Sequence, residues 1–354
     1  MNISLNWLTD YVDVALPAKE LAEVFTRIGL NCEGIVETPT DLVLDLEVTS
    51  NRPDCLGHLG VARELAAATG QDFRPPELSD PPTSGRASDL VSVEVEAPDL
   101  CPRYTARVLR GVKIGPSPDW MVERLEATGL RSINNVVDVT NYVLMEYSQP
   151  LHSFDYDKLA GRKIIVRRGR PGEVMVSIDE TKCHLTEEML VIADAERAVA
   201  IAGIMGGLST EVTADTTNVL IEAARFDPLA TRRTSRALGL MSESNYRFER
   251  GVDPVELERA SMRACQMILD LAGGELAEGI VDVWAEPFQP RIASMRVDRC
   301  NALLGLEIPP ARQEQILQRL GLAPRSEGRK LVCTIPSHRP DLEREADLIE
   351  EVGR

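Results

Sequence analysis

The sequence predicts a multidomain α+β protein, and three observations carry that reading. At 354 residues the chain is longer than one core usually serves, so roughly two to three domains are expected. Strand-period and helix-period segments fall in separate blocks, with strand signals dominating from Lys163 to Phe226 and helical stretches on either side. Between Arg74 and Asp89, prolines with serine and glycine displace apolar residues, as in a linker. The expected layout is an α+β segment over 1–73 that packs on the next domain, a linker over 74–89, a mixed α/β domain over 90–289 and a small helix-turn-helix-like module over 290–354.

The elements follow in order. Trp7, Leu8, Tyr11 and Val12, then Leu21, Val24, Phe25 and Ile28, form the apolar faces of two short helices punctuated by Pro17 and Gly29. Leu42 to Val48 alternates apolar and acidic residues, as a half-buried strand does. Ser50-Asn51-Arg52-Pro53-Asp54 is turn chemistry, and Leu59 to Ala68 is a helix ended by Gly70. Val91, Val93 and Val95 mark a strand, and Pro118 to Gly129 a helix opened by Ser117 or Asp119. Further strands are expected at Ile164–Val166, Val174–Ile178, Leu190–Ile192, Val199–Ile204 and Val219–Ile221. Asp227-Pro228 caps a helix to Gly239, and a longer helix runs from Val255 to Leu271. In the last module Arg299–Leu304 and Pro310–Leu320 read as helices, Leu331–Ile335 as a strand, and a final helix starts at Leu342. That helix has no stop signal, which raises the expectation that the polypeptide continues.

Composition narrows the function. Apolar content of 44% with 27% charged residues suits a soluble globular protein, and 4% aromatic content leaves the packing to aliphatic side chains. No apolar run is long enough to cross a bilayer, and no basic-then-apolar segment opens the chain, so the expected location is the cytoplasm. The seven cysteines are scattered and form no CxxC pair, which is the usage of reduced thiols and not of a disulfide frame or zinc site. A net charge of −17 argues against a DNA-binding or general nucleic-acid-binding protein. Two local basic stretches remain: Arg162 to Arg170, which reads better as solvated strand faces, and the arginine-rich Arg225 to Arg250.

Four features carry chemistry. In GLRSINNVVDVTNYVLMEYSQPLHSFD (129–155) apolar residues recur at a helix period, and Arg131, Asn134, Asn135, Thr140, Asn141 and His152 bring a cation, amides, a hydroxyl and an imidazole to one helix and its exit. The same residues also suit a capped, buried helix with a structural histidine. Gly203, Gly206 and Gly207 leave backbone open to close approach. Glu222 ends the apolar run NVLIEAARF, either at an edge reaching water or buried with a partner. In the tail, Asp347, Glu350 and Glu351 share a helical face near Asp341. That is an oxygen donor set suited to Mg²⁺, or simply a solvated acidic face.

The motifs SNRPDCLGHLGVARE, GLRSINNVVDVTNYVLMEYSQPLHSFD, AIAGIMGG, VLIEAARFDP, SESNYRFERGVDP and HRPDLEREADLIEEVGR run in order along most of the chain. In them the sequence resembles the β subunit of bacterial phenylalanine–tRNA ligase, a class II aminoacyl-tRNA synthetase. The resemblance implies a B3/B4-type editing domain and a B5-type domain. It also implies an α₂β₂ enzyme, formed with an α subunit, that charges tRNA-Phe using ATP and Mg²⁺, the β subunit hydrolysing tRNA mischarged with tyrosine. Carried over by motif, the editing pocket falls on Arg131, Thr140, Asn141, His152, Gly203, Glu222, Ser242 and Ser244. Glu222 then accepts the tyrosine hydroxyl, His152 orients or activates water, and Arg131 holds the tRNA end. The Mg²⁺ pattern falls on Asp341, Asp347, Glu350 and Glu351.

Two departures stand out. The family's usual oligonucleotide-binding insertion near the N-terminus is absent, since Ile35 to Leu42 runs straight through that point. The family also continues into a catalytic-like domain beyond the last residue here. Two other functions compete: a free-standing aminoacyl-tRNA deacylase, which has no use for the terminal helix and its carboxylates, and a non-catalytic scaffold. Hydrolysis of mischarged tRNA by wild type, Glu222→Ala and His152→Ala separates these readings.

Overall fold

The computed structural model describes residues 1–354 as two compact units, Glu77–Pro287 and Met1–Pro76 joined with Phe288–Arg354. No helix is long and apolar enough to cross a membrane.

Two sheets organise the Glu77–Pro287 unit. In a six-stranded sheet, Arg103–Arg110 pairs antiparallel along its whole length with Asn218–Arg225, whose other side pairs with Leu151–Asp155. Glu275–Glu278 and Val281–Trp284 pair with the far side of Arg103–Arg110. A five-stranded sheet runs in the order Met205–Gly206, Ala198–Ile201, Leu190–Ala193, Lys163–Arg168, Ser92–Val95. Side chains alternate along a strand, so Tyr104, Ala106 and Val108 with Leu220 and Ala224 face one way. They meet Ile164, Val166, Ile192 and Val199 of the other sheet in one core. The opposite face lies under the helices Asn135–Tyr147 and Leu257–Ala272. Both faces of Asn218–Arg225 are therefore covered, which explains a strand apolar almost throughout.

Thr83–Arg86 pairs parallel with Glu275–Glu278, and Ala87–Leu90 is a short helix that buries Ala87. Much of the expected 74–89 linker thus belongs to the folded unit, because a neighbouring strand offers free backbone groups that a polar Thr-Ser-Gly-Arg segment can pair with.

The helix of the 129–155 stretch begins at Asn135, later than its apolar pattern suggests. Asn134 caps it by accepting from the Val136 and Val137 amides at 3.1 and 3.0 Å, and Ile133 is left 60% exposed. Asp138 accepts from Ser117 Oγ at 2.6 Å, Ser132 Oγ at 2.5 Å and the Ile133 amide at 2.8 Å. Asn135 bridges the Lys113 carbonyl and the Gly115 amide. These polar residues brace the helix against the preceding loop.

In the other unit, Asn2–Ser4, Leu42–Glu47 and Asn31–Glu37 form an antiparallel sheet beside Ala18–Arg27 and His58–Thr69. Residues 288–354 contribute a second small sheet, Arg291–Arg296, Lys330–Ile335 and Arg325–Glu327, with the helices Val297–Leu304, Pro310–Arg319 and Glu345–Gly353. The expected layout treats the first and last stretches as separate, whereas they share one compact unit. Its physical basis is a buried ion network. Arg52 binds Asp54 and Glu64, Arg339 binds Asp341 and Glu351, and Arg354 bridges Glu64 to Glu351. Ala67 packs on the core built from Met295, Leu317, Leu331 and Leu348.

Candidate active site

Three strands of the six-stranded sheet bring three chemically distinct side chains together. Glu222 and His152 are register partners on adjacent antiparallel strands, so their side chains leave the sheet on one face. Tyr104, on the strand flanking the other side, donates its hydroxyl to Glu222 Oε2 at 2.6 Å. Glu222 is 6% exposed in a strand paired on both sides, so the solvent-edge alternative is excluded and its partner is Tyr104.

Burial sets the charge states. Loss of hydration pushes the Glu222 carboxyl up to about 7 against the downward pull of the Tyr104 hydrogen bond, so it is poised between its two forms near neutrality. Burial lowers the His152 imidazole to about 4, leaving it neutral at pH 7 and a weak base. The Tyr104 hydroxyl, buried beside a carboxylate, is held well above the usual phenol range and stays a donor. With Tyr104 on Oε2, Glu222 Oε1 is the acceptor left for a guest.

A cavity of about 60 Å³ opens at this point, lined by His152 and Glu222, the turn from Ala202 to Gly206, and Ser244 and Phe248 of the helix Glu243–Phe248. Gly203 takes φ +70°, and a Cβ there would stand 2.9 Å from both Phe226 and Phe248. At Gly206 a Cβ would overlap the His152 ring. The close approach that the glycines permit is thus in part made by the protein's own imidazole, which also meets Phe154 edge-on with centroids 4.4 Å apart. Ser242 Oγ donates to the Ile204 carbonyl at 2.9 Å and caps the helix by accepting from the Asn245 amide, tying the helix to the turn.

Of the eight residues expected in the pocket, His152, Gly203, Glu222 and Ser244 line it, and Ser242 supports it from behind. Thr140 is buried and donates to the Val137 carbonyl at 2.7 Å, Asn141 is half-buried on the same helix, and Arg131 is exposed; none of these three lines the cavity. Tyr104 and Phe248 were not anticipated. Tyr104 sits in a strand whose alternation signals burial but nothing of a partner on another strand.

The four tail carboxylates do not fit Mg²⁺ as they stand. Asp341 and Glu351 are both taken by Arg339, at 2.8 and 2.7 Å. Asp347 accepts from the Glu343 and Arg344 amides at the helix start, and Glu350 is exposed. No group of three or more His, Cys, Asp or Glu side chains is placed to hold a metal ion. Sequence spacing put them on one helical face, but arginine and backbone donors already occupy three of them.

Comparison with known proteins adds identity to this geometry. A B3/4 domain family matches residues 100–273, and the tRNA synthetase B5 domain family matches 293–354. The β subunits of phenylalanine–tRNA ligase from Rhodopirellula baltica and Moorella thermoacetica are 49% and 51% identical over 100% and 96% of this chain. The chain belongs to the phenylalanine–tRNA ligase β-subunit family. It spans about half the length of these relatives, the matches covering 52% and 41% of them. An N-terminal fragment of the phenylalanyl-tRNA synthetase β subunit from Pyrococcus horikoshii shares the fold at a TM-score of 0.55 and 15% identity, over 99% of this chain and 98% of the other. Within the family assignment, the B3/4 match encloses every residue of the cavity.

Proposed function

We propose that this chain serves a cytoplasmic phenylalanine–tRNA ligase, in an α₂β₂ assembly with an α subunit that charges tRNA-Phe using ATP. In this reading its cavity is a proofreading site that hydrolyses tyrosine wrongly esterified to that tRNA. The observation that carries the reading is the pairing of Glu222 with His152 on neighbouring strands, at a cavity floored by the Gly203–Gly206 turn. A synthetic pocket shaped for a phenyl ring rejects an added hydroxyl by only about a hundredfold, so a second sieve that recognises the hydroxyl is needed.

Each residue then has a task. Glu222 Oε1 accepts the tyrosine hydroxyl, and with phenylalanine the same buried oxygen stays unpaired, at a cost of about 1–3 kcal/mol. The neutral His152 holds the attacking water through its free nitrogen, and its low basicity makes it an orienting group more than a full proton acceptor. Phe248 and the turn exclude bulk water. Attack on the ester carbonyl forms the bond to the water oxygen, breaks the bond to the ribose oxygen and releases tyrosine and intact tRNA. No step is assigned to Mg²⁺ at the four tail carboxylates.

The test is hydrolysis of Tyr-tRNA-Phe by wild type, Glu222→Ala and His152→Ala. Wild type is expected to release tyrosine while His152→Ala slows by about 10²-fold or more. Glu222→Ala is expected to lose its preference for tyrosyl over phenylalanyl esters. Equal inactivity of all three folded proteins would replace the reading with that of a non-catalytic scaffold.

A further inference from the structure

We propose that the exposed face of the helix Pro228–Leu238, continued by Tyr246 and Arg250, is the docking surface for the single-stranded 3′ end of an RNA whose last nucleotide reaches the cavity. The inference rests on the proofreading reading for the identity of the guest, and it adds where that guest is held.

The helix PLATRRTSRAL contains three arginines and no acid. Thr231, Thr234 and Ser235 turn inward and are buried, while Arg232, Arg233 and Arg236 are exposed and pair with no carboxylate. In a chain with 56 acidic against 39 basic residues, some exposed arginines find an acid, as Arg168 does with Asp99 and Arg296 with Glu345, whereas this helix gathers three without one between Arg232 and Arg236. Arg236, in the last turn, is accounted for by the helix dipole. Arg232 and Arg233 lie earlier and are not.

Stacking surface adjoins the charge. Arg250 lies over the Tyr246 ring at 3.6 Å, and Met241 between the two helices is 85% exposed. An aromatic–guanidinium platform beside unpaired cations suits bases and phosphates of a single strand together. Placement links this surface to the cavity. Asn245 Nδ2 donates to Ser235 Oγ at 3.2 Å, joining the two helices, and Leu240 packs with Ile201 and Ile204 of the cavity wall. On the short helix Ser244 and Phe248 face the cavity while Tyr246, two positions on from Ser244, faces the opposite side; Arg250, just past the helix and paired with Glu249, lies over the Tyr246 ring. A strand held there need only cross one helix, about 10 Å wide, to deliver its end.

The experiment measures equilibrium binding of uncharged tRNA-Phe to the full chain by fluorescence anisotropy over about 50–200 mM salt. The proteins are wild type, the triple variant R232E/R233E/R236E and the charge-keeping R232K/R233K/R236K. Charge reversal is expected to weaken binding at least about tenfold and to flatten the log–log salt dependence by about 2, three lost contacts at about 0.7 each. The lysine variant is expected to stay within about threefold of wild type, and Tyr246→Ala to weaken binding with the salt slope unchanged. A short hairpin RNA with a 3′ overhang should show the same losses, and a blunt one should not. Unchanged affinity and slope on charge reversal, an equal loss in the lysine variant, or equal loss on the blunt hairpin would each overturn the assignment. Because binding is read on uncharged RNA, a wild type that binds through this face but hydrolyses nothing would sink the proofreading reading and leave the docking surface standing.

Discussion

Removing one oxygen at Tyr104 is the sharpest perturbation the site offers. Tyr104→Phe keeps the ring in its core position and deletes the 2.6 Å hydrogen bond to Glu222 Oε2. A hydrogen bond to a charged group contributes about 1.5–3 kcal/mol, which corresponds to about one to two pH units on the carboxyl it holds. The Glu222 carboxyl, already pushed up from 4.5 to about 7, should rise further. The sign follows from linkage. A carboxyl raised in the folded state contributes stability that is fully present below its unfolded value and is lost as pH rises through the folded one. In wild type that loss is complete somewhat above pH 7, and it amounts to about 3 kcal/mol in order of magnitude. In Tyr104→Phe the loss continues to higher pH. Urea unfolding at about pH 5.5 and about pH 9 should therefore show the two proteins within about 1 kcal/mol at the lower pH and separated by a further 1.5–3 kcal/mol at the higher. Glu222→Gln, having no proton to lose, should remove the dependence and be more stable than wild type at high pH. A gap between Tyr104→Phe and wild type that is the same at both pH values would refute the reasoning.

Four further outcomes are expected. The preference for hydrolysing tyrosyl over phenylalanyl esters should grow as pH rises through about 7, because the ionised Glu222 is the better acceptor; a flat ratio of the two rates across that range would remove Glu222 from recognition. Gly206→Ala forces a methyl into the His152 ring, so ester hydrolysis should fall toward the His152→Ala level with about 1–3 kcal/mol of destabilisation by urea unfolding. Arg339→Ala strands Asp341 and leaves Glu351 with Arg354 alone in a buried network, and should cost about 3–5 kcal/mol. In wild type, moreover, Mg²⁺ at about 10 mM should leave the unfolding midpoint unmoved, where a site of about 1 mM affinity would add about 1.4 kcal/mol.

Much of the fold was legible because it is written in local periodicity. The strand alternation at Leu42–Val48, the Asp227-Pro228 cap and the glycine stops at Gly70 and Gly239 depend on neighbours a few residues away, and each appears in the structure. Motif order along the chain was enough to reach the family. The 129–155 stretch misled in an instructive way: Asn134, Asn135 and Thr140 have the chemistry of ligand groups, but they spend it on the helix's own cap, loop and backbone. The tail carboxylates show the same limit, since spacing reports which face a side chain shares and not whether an arginine from the preceding loop already holds it.

What the sequence determined by itself, then, is the set of elements and the kind of chemistry available, because both follow from short-range pattern. What only tertiary structure decided is which groups meet. Strand register put His152 opposite Glu222, a third strand supplied Tyr104, and coverage of both sheet faces stripped water from Glu222 and Tyr104 and part of it from His152. That loss of hydration moves Glu222 to about 7 and His152 to about 4, and no reading of one segment at a time contains it.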